Sequence, residues 1–540
     1  MSWTRRDALK GLGGIPILGA VWWAGAASTV TRKNERAELT EYLNIKPSLP
    51  SMVKPIGGEP VRIGIIGFGI RGEQLCRSLG FATNEWIEDM KVAALEAKAE
   101  GREHTALKDY MAQEKLNVKL VGICDVFDVR AEKAIASFST EEHPMKRYKT
   151  HQEMIRSGNV EAVIIATPDH WHAPMAIDAL ENNINVYVEK PMTHTIEETY
   201  RLKEAAEKSD AVFMVGHQHR QTLSFQTAQN IIEEGVLGHV SLITTNTNRN
   251  DDNGVWNYHI HEKASEQTID WDLFLGSAPK IPFNKNHFFR WRKWWAYGSG
   301  LSGDLLTHDY DRLNCVLNMG IPRSIMASGG IYTHNDGRDV PDVLQVNMEF
   351  PDFSTGSSQT PGKEKGMTFT YSATLGNGFS RPTILMGHDA TMELGNNLTI
   401  WPDRSSTKYA EMLEDEKMRP KTPIYQYRPG SNLPDAVSSA TSQYFADKGL
   451  MWTYIDGVKV DSTYLHLSEW LSSFRNGGKV SCGIKEGFEE AIAAHMTGLS
   501  WKLGRRIEWD PVNQVIVPIE GIDLDEVLLS GSHEGRPVPS

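Results

Sequence analysis

Apolar residues in the first half of the chain gather in short unbroken runs, each followed by a turn rich in polar residues, glycine or proline and then by a longer stretch of helical period. Val61 to Ile66, Lys119 to Cys124, the run ending at Ala166, "NVYVEKP" ending in Glu189-Lys190-Pro191, and "AVFMV" before His217 have this form. Continuous runs of this length predict strands buried on both faces, as in a parallel sheet covered by helices. Residues 81 to 118, rich in Ala, Glu and Lys, interrupt the rhythm and read as a helical insertion outside the sheet. Beyond residue 217 the pattern changes to alternation. "SLITTNTNRN", "RSIMASGGIYT", "LQVNMEF", "MTFTYSATLG" and "TILMGHDATMELG" read as strands. Residues 396 to 461 read as an irregular insertion, "LHLSEWLSSFRNGG" and "GFEEAIAAHMTGLSWKLGRRIEWD" as closing helices, and 511 to 540 as a polar tail. The prediction is an α/β chain.

The turn after the first strand carries chemistry. Gly67-Phe68-Gly69-Ile70-Arg71-Gly72 is a GxGxxG placed between a strand and a helix. In that context the glycines allow a tight turn, close backbone approach to a pyrophosphate and helix packing, with the phosphates at the helix N-terminus. Asp125 ends the second strand, where an acid binds the adenosine ribose hydroxyls of NAD and repels the extra phosphate of NADP. NAD is therefore expected before NADP. Thr167 and Pro168, with His170 and His172, line the turn after the next strand, and Glu189 and Lys190 end the one after that. Both turns fall at carboxyl ends of parallel strands, where such sheets bind ligands. Each of the two histidines reads either as a pocket residue or as a structural one.

Composition narrows the class. The 540 residues carry a net charge of −13, which argues against nucleic acid or an anionic membrane as partner. The four cysteines form no CxxC or Cys/His cluster, so neither a zinc site nor a disulfide framework is indicated. At the N-terminus, Arg5-Arg6 precedes a moderately apolar segment from Gly11 to Ala27. This resembles a twin-arginine (Tat) signal peptide with Ala24-Gly25-Ala26 as the best cleavage candidate, and it implies the Tat machinery as a partner and a periplasmic location. Retention of the segment as a membrane anchor is the alternative. The domain reading is a signal at 1–28, a leader at 29–58, a dinucleotide-binding domain at 59–217, a substrate and oligomerisation domain at 218–513 and a tail at 514–540.

GFGIRG, Asp125, ATPDHWH, EKP and "GSGLSGDLLTHDYD" together resemble the glucose-fructose oxidoreductase, inositol dehydrogenase and rhizopine-catabolism family, Gfo/Idh/MocA. The resemblance implies an N-terminal Rossmann domain and a C-terminal α/β domain whose large, mostly antiparallel sheet often builds a homo-oligomer, here a dimer or tetramer. It also implies a carbohydrate or cyclitol substrate. The EKP lysine of the family maps onto Lys190, the DxxxH pair onto Asp304 and His308.

The chemistry of the residues agrees. Oxidising a secondary alcohol needs a proton acceptor beside the carbon that loses hydride, and a buried lysine can serve. Asp304 and His308, four apart, share a helix face; the resemblance assigns Asp304 to orienting the sugar and His308 to the reacting hydroxyl. The alternative is a metal held by these two and Asp311, although hydride transfer requires none. His217 and Arg220 after the last strand of the first half, and Arg290 and Trp294 in "FFRWRKWWAYG", are the candidates for substrate contact, the latter through stacking and charge. An exported enzyme cannot restock its dinucleotide, so the cofactor is expected to stay bound. Two cycles then remain: net oxidation of one sugar coupled to reduction of another carbonyl, or redox-neutral glycoside cleavage as in the NAD-dependent glycosidases. Retention of Lys190 favours the first. A cofactor-binding sensor or scaffold is the third class.

Overall fold

The computed structural model describes residues 39, 41–45, 57–351, 365–395, 397–427, 452–455 and 458–531. The twin-arginine segment lies outside the described residues.

Six parallel strands form the first sheet: β1 (Val61–Ile66), β2 (Val118–Cys124), β3 (Lys146–Arg147), β4 (Ala162–Ile165), β5 (Asn185–Val188) and β6 (Phe213–Val215). Their order is β3-β2-β1-β4-β5-β6, the doubly wound arrangement of dinucleotide-binding domains. The runs are buried because helices cover both faces, and β4 is buried at every position. The insertion between the first helix and β2 is helical as expected, with helices at Asn84–Ala99 and Ala106–Ala112; Trp86, Met90 and Ala97 turn inward. The β1/β2 pairing shifts register once, between Ile63 and Gly64, and continues to Ile66 opposite Cys124.

The second sheet has ten strands: β7 (Val240–Asn248), β8 (Ser324–Gly330), β9 (Val343–Phe350), β10 (Met367–Thr374), β11 (Thr383–Gly387), β12 (Ala390–Leu394), β13 (Leu398–Pro402), β14 (Tyr425–Tyr427), and, after a separate hairpin of β15 (Trp452–Ile455) and β16 (Val458–Asp461), β17 (Ile507–Asp510) and β18 (Val515–Ile516). Apart from the parallel pair β7/β10 it is antiparallel. In β10 buried and half-buried residues alternate along the strand, so one face meets the core and the other is left open to whatever covers it.

Three segments are more ordered than their polarity predicts. Leu39, Leu43 and Ile45 of the leader are buried in the main core. Part of the 396–461 segment extends the sheet through β13 and β14. The C-terminal stretch adds β18 and a helix at Leu524–Leu529 with Leu528 buried. A few apolar side chains anchor each, a signal that average polarity over a window conceals.

Candidate active site

The turn at the carboxyl end of β1 is shaped by its glycines. Gly67 has φ of +87°, and a Cβ there would lie 2.7 Å from the Ala166 carbonyl oxygen. A Cβ on Gly72 would lie 2.1 Å from the Gly67 oxygen, so this glycine lets the helix pack onto the turn. Gly69 differs: a Cβ would meet nothing closer than Arg130, at 3.6 Å. Its openness leaves room for a ligand rather than for protein. Gly69 also caps the helix Ile70–Ser78 with no side chain bonding the first amides, leaving them free for an anion. The cradle fits a dinucleotide. Asp125 Oδ2 accepts from Phe68 N (2.6 Å) and Oδ1 from Phe127 N (2.8 Å), tying the turn to the end of β2. Arg71 turns away from Ile70, which is exposed, and donates to Glu189 (2.7 Å) and Gln218 (3.1 Å).

Lys190 follows β5 at the same sheet edge. Its Nζ donates to the Asp304 carbonyl (2.6 Å) and to Asp304 Oδ1 (3.1 Å). Asp304 sits in a π-helical turn, Ser302–Leu306, that leads into the helix Thr307–Leu317. Such turns recur at functional sites. The same Oδ1 accepts from Arg292 Nε (2.9 Å), and Oδ2 accepts from the indole of Trp256 (2.9 Å). Burial pushes the Asp304 carboxyl up, but Lys190, Arg292 and Arg249 outweigh it and hold the group far below the usual carboxylate range. It is a fixed anion. His308, one turn on, is the opposite: burial, then the positive charge of Lys190 and the neighbourhood of His219, His217 and Arg312, push its imidazole well below its ordinary value. It is neutral, and its buried Nδ1 has no hydrogen-bond partner.

The other residues singled out from the sequence divide. Thr167 has a buried hydroxyl without a partner beside the cradle, and Pro168 caps the following helix. His172 is spoken for at both nitrogens, by the carbonyls of Pro191 (2.7 Å) and Thr167 (2.8 Å). His170 Nε2 meets the Phe274 carbonyl (2.8 Å), and burial pushes this ring down to about 3. His172 fastens its turn through both nitrogens, whereas the Nδ1 of His170 is buried without a partner. Arg290 and Trp294 are used elsewhere, on the carbonyls of Tyr258 (3.0 Å) and Gly337 (3.2 Å), and Trp294 stacks on His287. The cation from that aromatic run that reaches the site is Arg292. His217 and Arg220 are buried among Asp311 and Glu490, so they are not open to a substrate. Asp311 therefore does not join Asp304 around one ion, because the two carboxylates are engaged by different partners. Trp256 and Arg292 were not singled out beforehand. A lone tryptophan in "NDDNGVWNYH" has no spacing that announces a carboxylate partner 48 positions away.

Sheet order, glycine cradle and the lysine–aspartate pair at one strand edge define a dinucleotide-binding domain joined to a domain that completes a polar site beside it. Residues 61–217 match the GFO_IDH_MocA model, described as an oxidoreductase family with NAD-binding Rossmann fold. Among curated relatives, the chain is similar to a levoglucosan dehydrogenase of Pseudarthrobacter phenanthrenivorans, 27% identical over 248 residues, covering 42% of this chain and 56% of the relative. It is also similar to a 2,7-anhydro-N-acetylneuraminate hydratase of Mediterraneibacter gnavus, 27% identical over 198 residues, covering 36% and 43%. The matched stretches thus span little more than half of one relative and less than half of the other. A levoglucosan dehydrogenase solved with NADH and levoglucosan shares the fold, with a TM-score of 0.53 at 17% identity over 83% of this chain and 99% of that one.

Proposed function

We propose that this chain is an NAD-dependent oxidoreductase acting on a CH–OH group of a sugar, cyclitol or glycoside. The observation that carries the reading is the placement of Lys190, a permanently charged Asp304 and a neutral His308 beside the glycine cradle. The similarity to a levoglucosan dehydrogenase supports the substrate class.

NAD, when bound, supplies the hydride acceptor. The chain's own residues handle the rest. Two Lys190 N–H bonds are committed to Asp304, so the third is available to a substrate oxygen. The ammonium then stabilises negative charge as it develops on that oxygen. His308, neutral and only partly buried, takes the hydroxyl proton. Asp304, gripped by Lys190, Arg292 and Trp256, fixes the position of the lysine and exchanges no proton. This division of labour differs from one in which the lysine itself is the base, because a lysine held against a carboxylate is a donor.

The twin-arginine run supports export to the periplasm, and export supports a dinucleotide retained through turnover and reoxidised in place. The large second sheet supports a homo-oligomer. A redox-neutral cycle on one glycoside is the second reading, favoured by the similarity to the anhydro-sugar hydratase.

The test begins with acid release of NAD(H) from freshly purified protein. Wild type is then screened against monosaccharides, cyclitols, anhydro-sugars and aryl glycosides, following both nicotinamide absorbance and aglycone release. Stoichiometric reduction by a free sugar, reversed by a second carbonyl compound, is expected. Catalytic aglycone release without net reduction would replace the first reading by the second. Lys190→Met is expected to keep the dinucleotide while reduction falls about 100-fold or more.

A further inference from the structure

Behind the candidate active site lies a second cluster that the hydride-transfer reading does not use. His217 follows β6, Asp311 lies on the helix Thr307–Leu317, and Glu490 on the helix Ile484–Leu503. All three side chains are at most 2% exposed. One donor atom from each, a ring nitrogen and two carboxylate oxygens, lies within 4.8 Å of the other two. From these residues we propose that His217, Asp311 and Glu490 hold a divalent first-row transition ion that fastens the end of the parallel sheet to two helices of the second domain.

Three observations carry the proposal. First, the donors converge on one another in the buried interior. His217 Nε2 lies against Glu490 Oε2, and His217 Nδ1 stands 3.6 Å from Asp311 Oδ2. Buried charged groups are almost always paired and bonded or else ligate a metal. Second, the other half of Asp311 is already fixed: Arg220 Nε (2.8 Å) and Nη2 (2.7 Å) both grip Oδ1, leaving Oδ2 turned toward His217 at 3.6 Å. A charged partner that orients a ligating carboxylate is the usual outer layer of a metal site. Third, the donor set is one imidazole and two carboxylates. It suits the ions from Mn²⁺ to Zn²⁺ and does not suit Cu⁺, which prefers sulfur; the nearby Cys482 thiol points to Asp311 Oδ1 instead, at 3.9 Å.

The competing state is an imidazolium at His217 lying between the two carboxylates. Neutral His217 with an ion, and charged His217 without one, differ in composition and can be told apart without any enzyme assay. The full-length protein is analysed for metals by mass spectrometry, stripped with dipicolinate, and titrated with Co²⁺ followed by its visible ligand-field bands and with Mn²⁺ followed by electron paramagnetic resonance. About one equivalent per chain is expected, with a rise in thermal midpoint on reloading, since an ion that binds only the folded state stabilises it. His217→Gln and Glu490→Gln should each weaken Co²⁺ binding by about 100-fold or more, at least the loss seen when an outer partner is removed. Stripped wild type that is folded by circular dichroism yet takes up neither Co²⁺, Mn²⁺ nor Zn²⁺ in a one-to-one ratio overturns the proposal, whatever the variants do. Because no readout depends on sugar or dinucleotide, failure here leaves the oxidoreductase reading standing, and the reverse holds too.

Discussion

His308 carries the sharpest consequence at the scale of single residues. An imidazole buried next to the Lys190 ammonium resists protonation, so it stays a proton acceptor below the pH at which an exposed histidine would be charged. For alcohol oxidation kcat/KM should therefore pass through pH 6.5 without an acidic limb and fall only at lower pH. Removing the neighbouring cation relieves part of the effect, and burial keeps the rest. In Lys190→Met the residual activity should show an acidic limb shifted upward, because the histidine is then easier to protonate. A pH–rate profile of both proteins checks this, and an unshifted limb would detach His308 from proton transfer. The contrast with Asp304 is instructive: two neighbouring groups, one held charged by Lys190, Arg292 and Arg249 against burial, the other held neutral by burial and the same lysine. Neither state is legible in "GDLLTHDYD". The sequence shows residue types and spacing, while the charge state depends on Arg292 and Trp256 arriving from elsewhere.

At the scale of the element, the strand–turn–helix at 61–78 was legible almost completely. An unbroken apolar run, glycines at fixed offsets and a following helical period are local facts, and parallel strands in a covered sheet leave little freedom in how they are read. The glycines nevertheless do different work, and substitution separates it. Gly67→Ala forces a residue at φ of +87° to carry a Cβ 2.7 Å from a carbonyl oxygen, a combination that should cost on the order of 1–3 kcal/mol in the apo protein. Gly69→Ala meets no atom nearer than 3.6 Å. It should leave the urea midpoint of the dinucleotide-free protein unchanged, yet abolish the dinucleotide recovered on denaturation, because the methyl group occupies the side from which the pyrophosphate approaches. Equal damage to stability by both changes would mean that the turn is merely structural. Where the elements were less legible, as with the aromatic run at 288–298, the reason is that a short 3₁₀ turn at Trp291–Lys293 rotates successive side chains apart. Arg292 reaches Asp304 while Arg290 and Trp294 are spent on distant carbonyls.

At the scale of the whole molecule, the C-terminal segment fastens the two domains together, although its composition reads as a tail. Asp525 accepts from the first two backbone amides of the helix Ile196–Lys208, at Ile196 (2.6 Å) and Glu197 (2.9 Å). Lys502, 2% exposed, donates to the carbonyls of Leu528 and Ser530 and lies 3.9 Å from the centre of the Trp295 ring. Burial pushes this amine down to about 7, against the pull of Asp339. Ending the chain at Gly521 would remove both carbonyl acceptors and the helix cap at once. With its value at about 7 the amine can shed its proton at pH 6 for about 1.4 kcal/mol, and a helix cap is worth about 1, so these groups should cost the truncated protein roughly 2–3 kcal/mol in urea at pH 6. The sign of the pH dependence follows from the lowered value. Below pH 7 Lys502 is an ammonium in the folded full-length chain and needs its acceptors; above 7 it is increasingly a neutral amine and needs them less. The difference in stability between full-length and truncated protein should therefore shrink from pH 6 to pH 9. Adding Lys502→Met to the truncation should restore part of the loss at pH 6, since an apolar side chain of similar length fills the same space without a charge to satisfy. If that second change deepens the loss instead, the segment acts through packing of Leu528 alone and the buried ammonium is not what it secures.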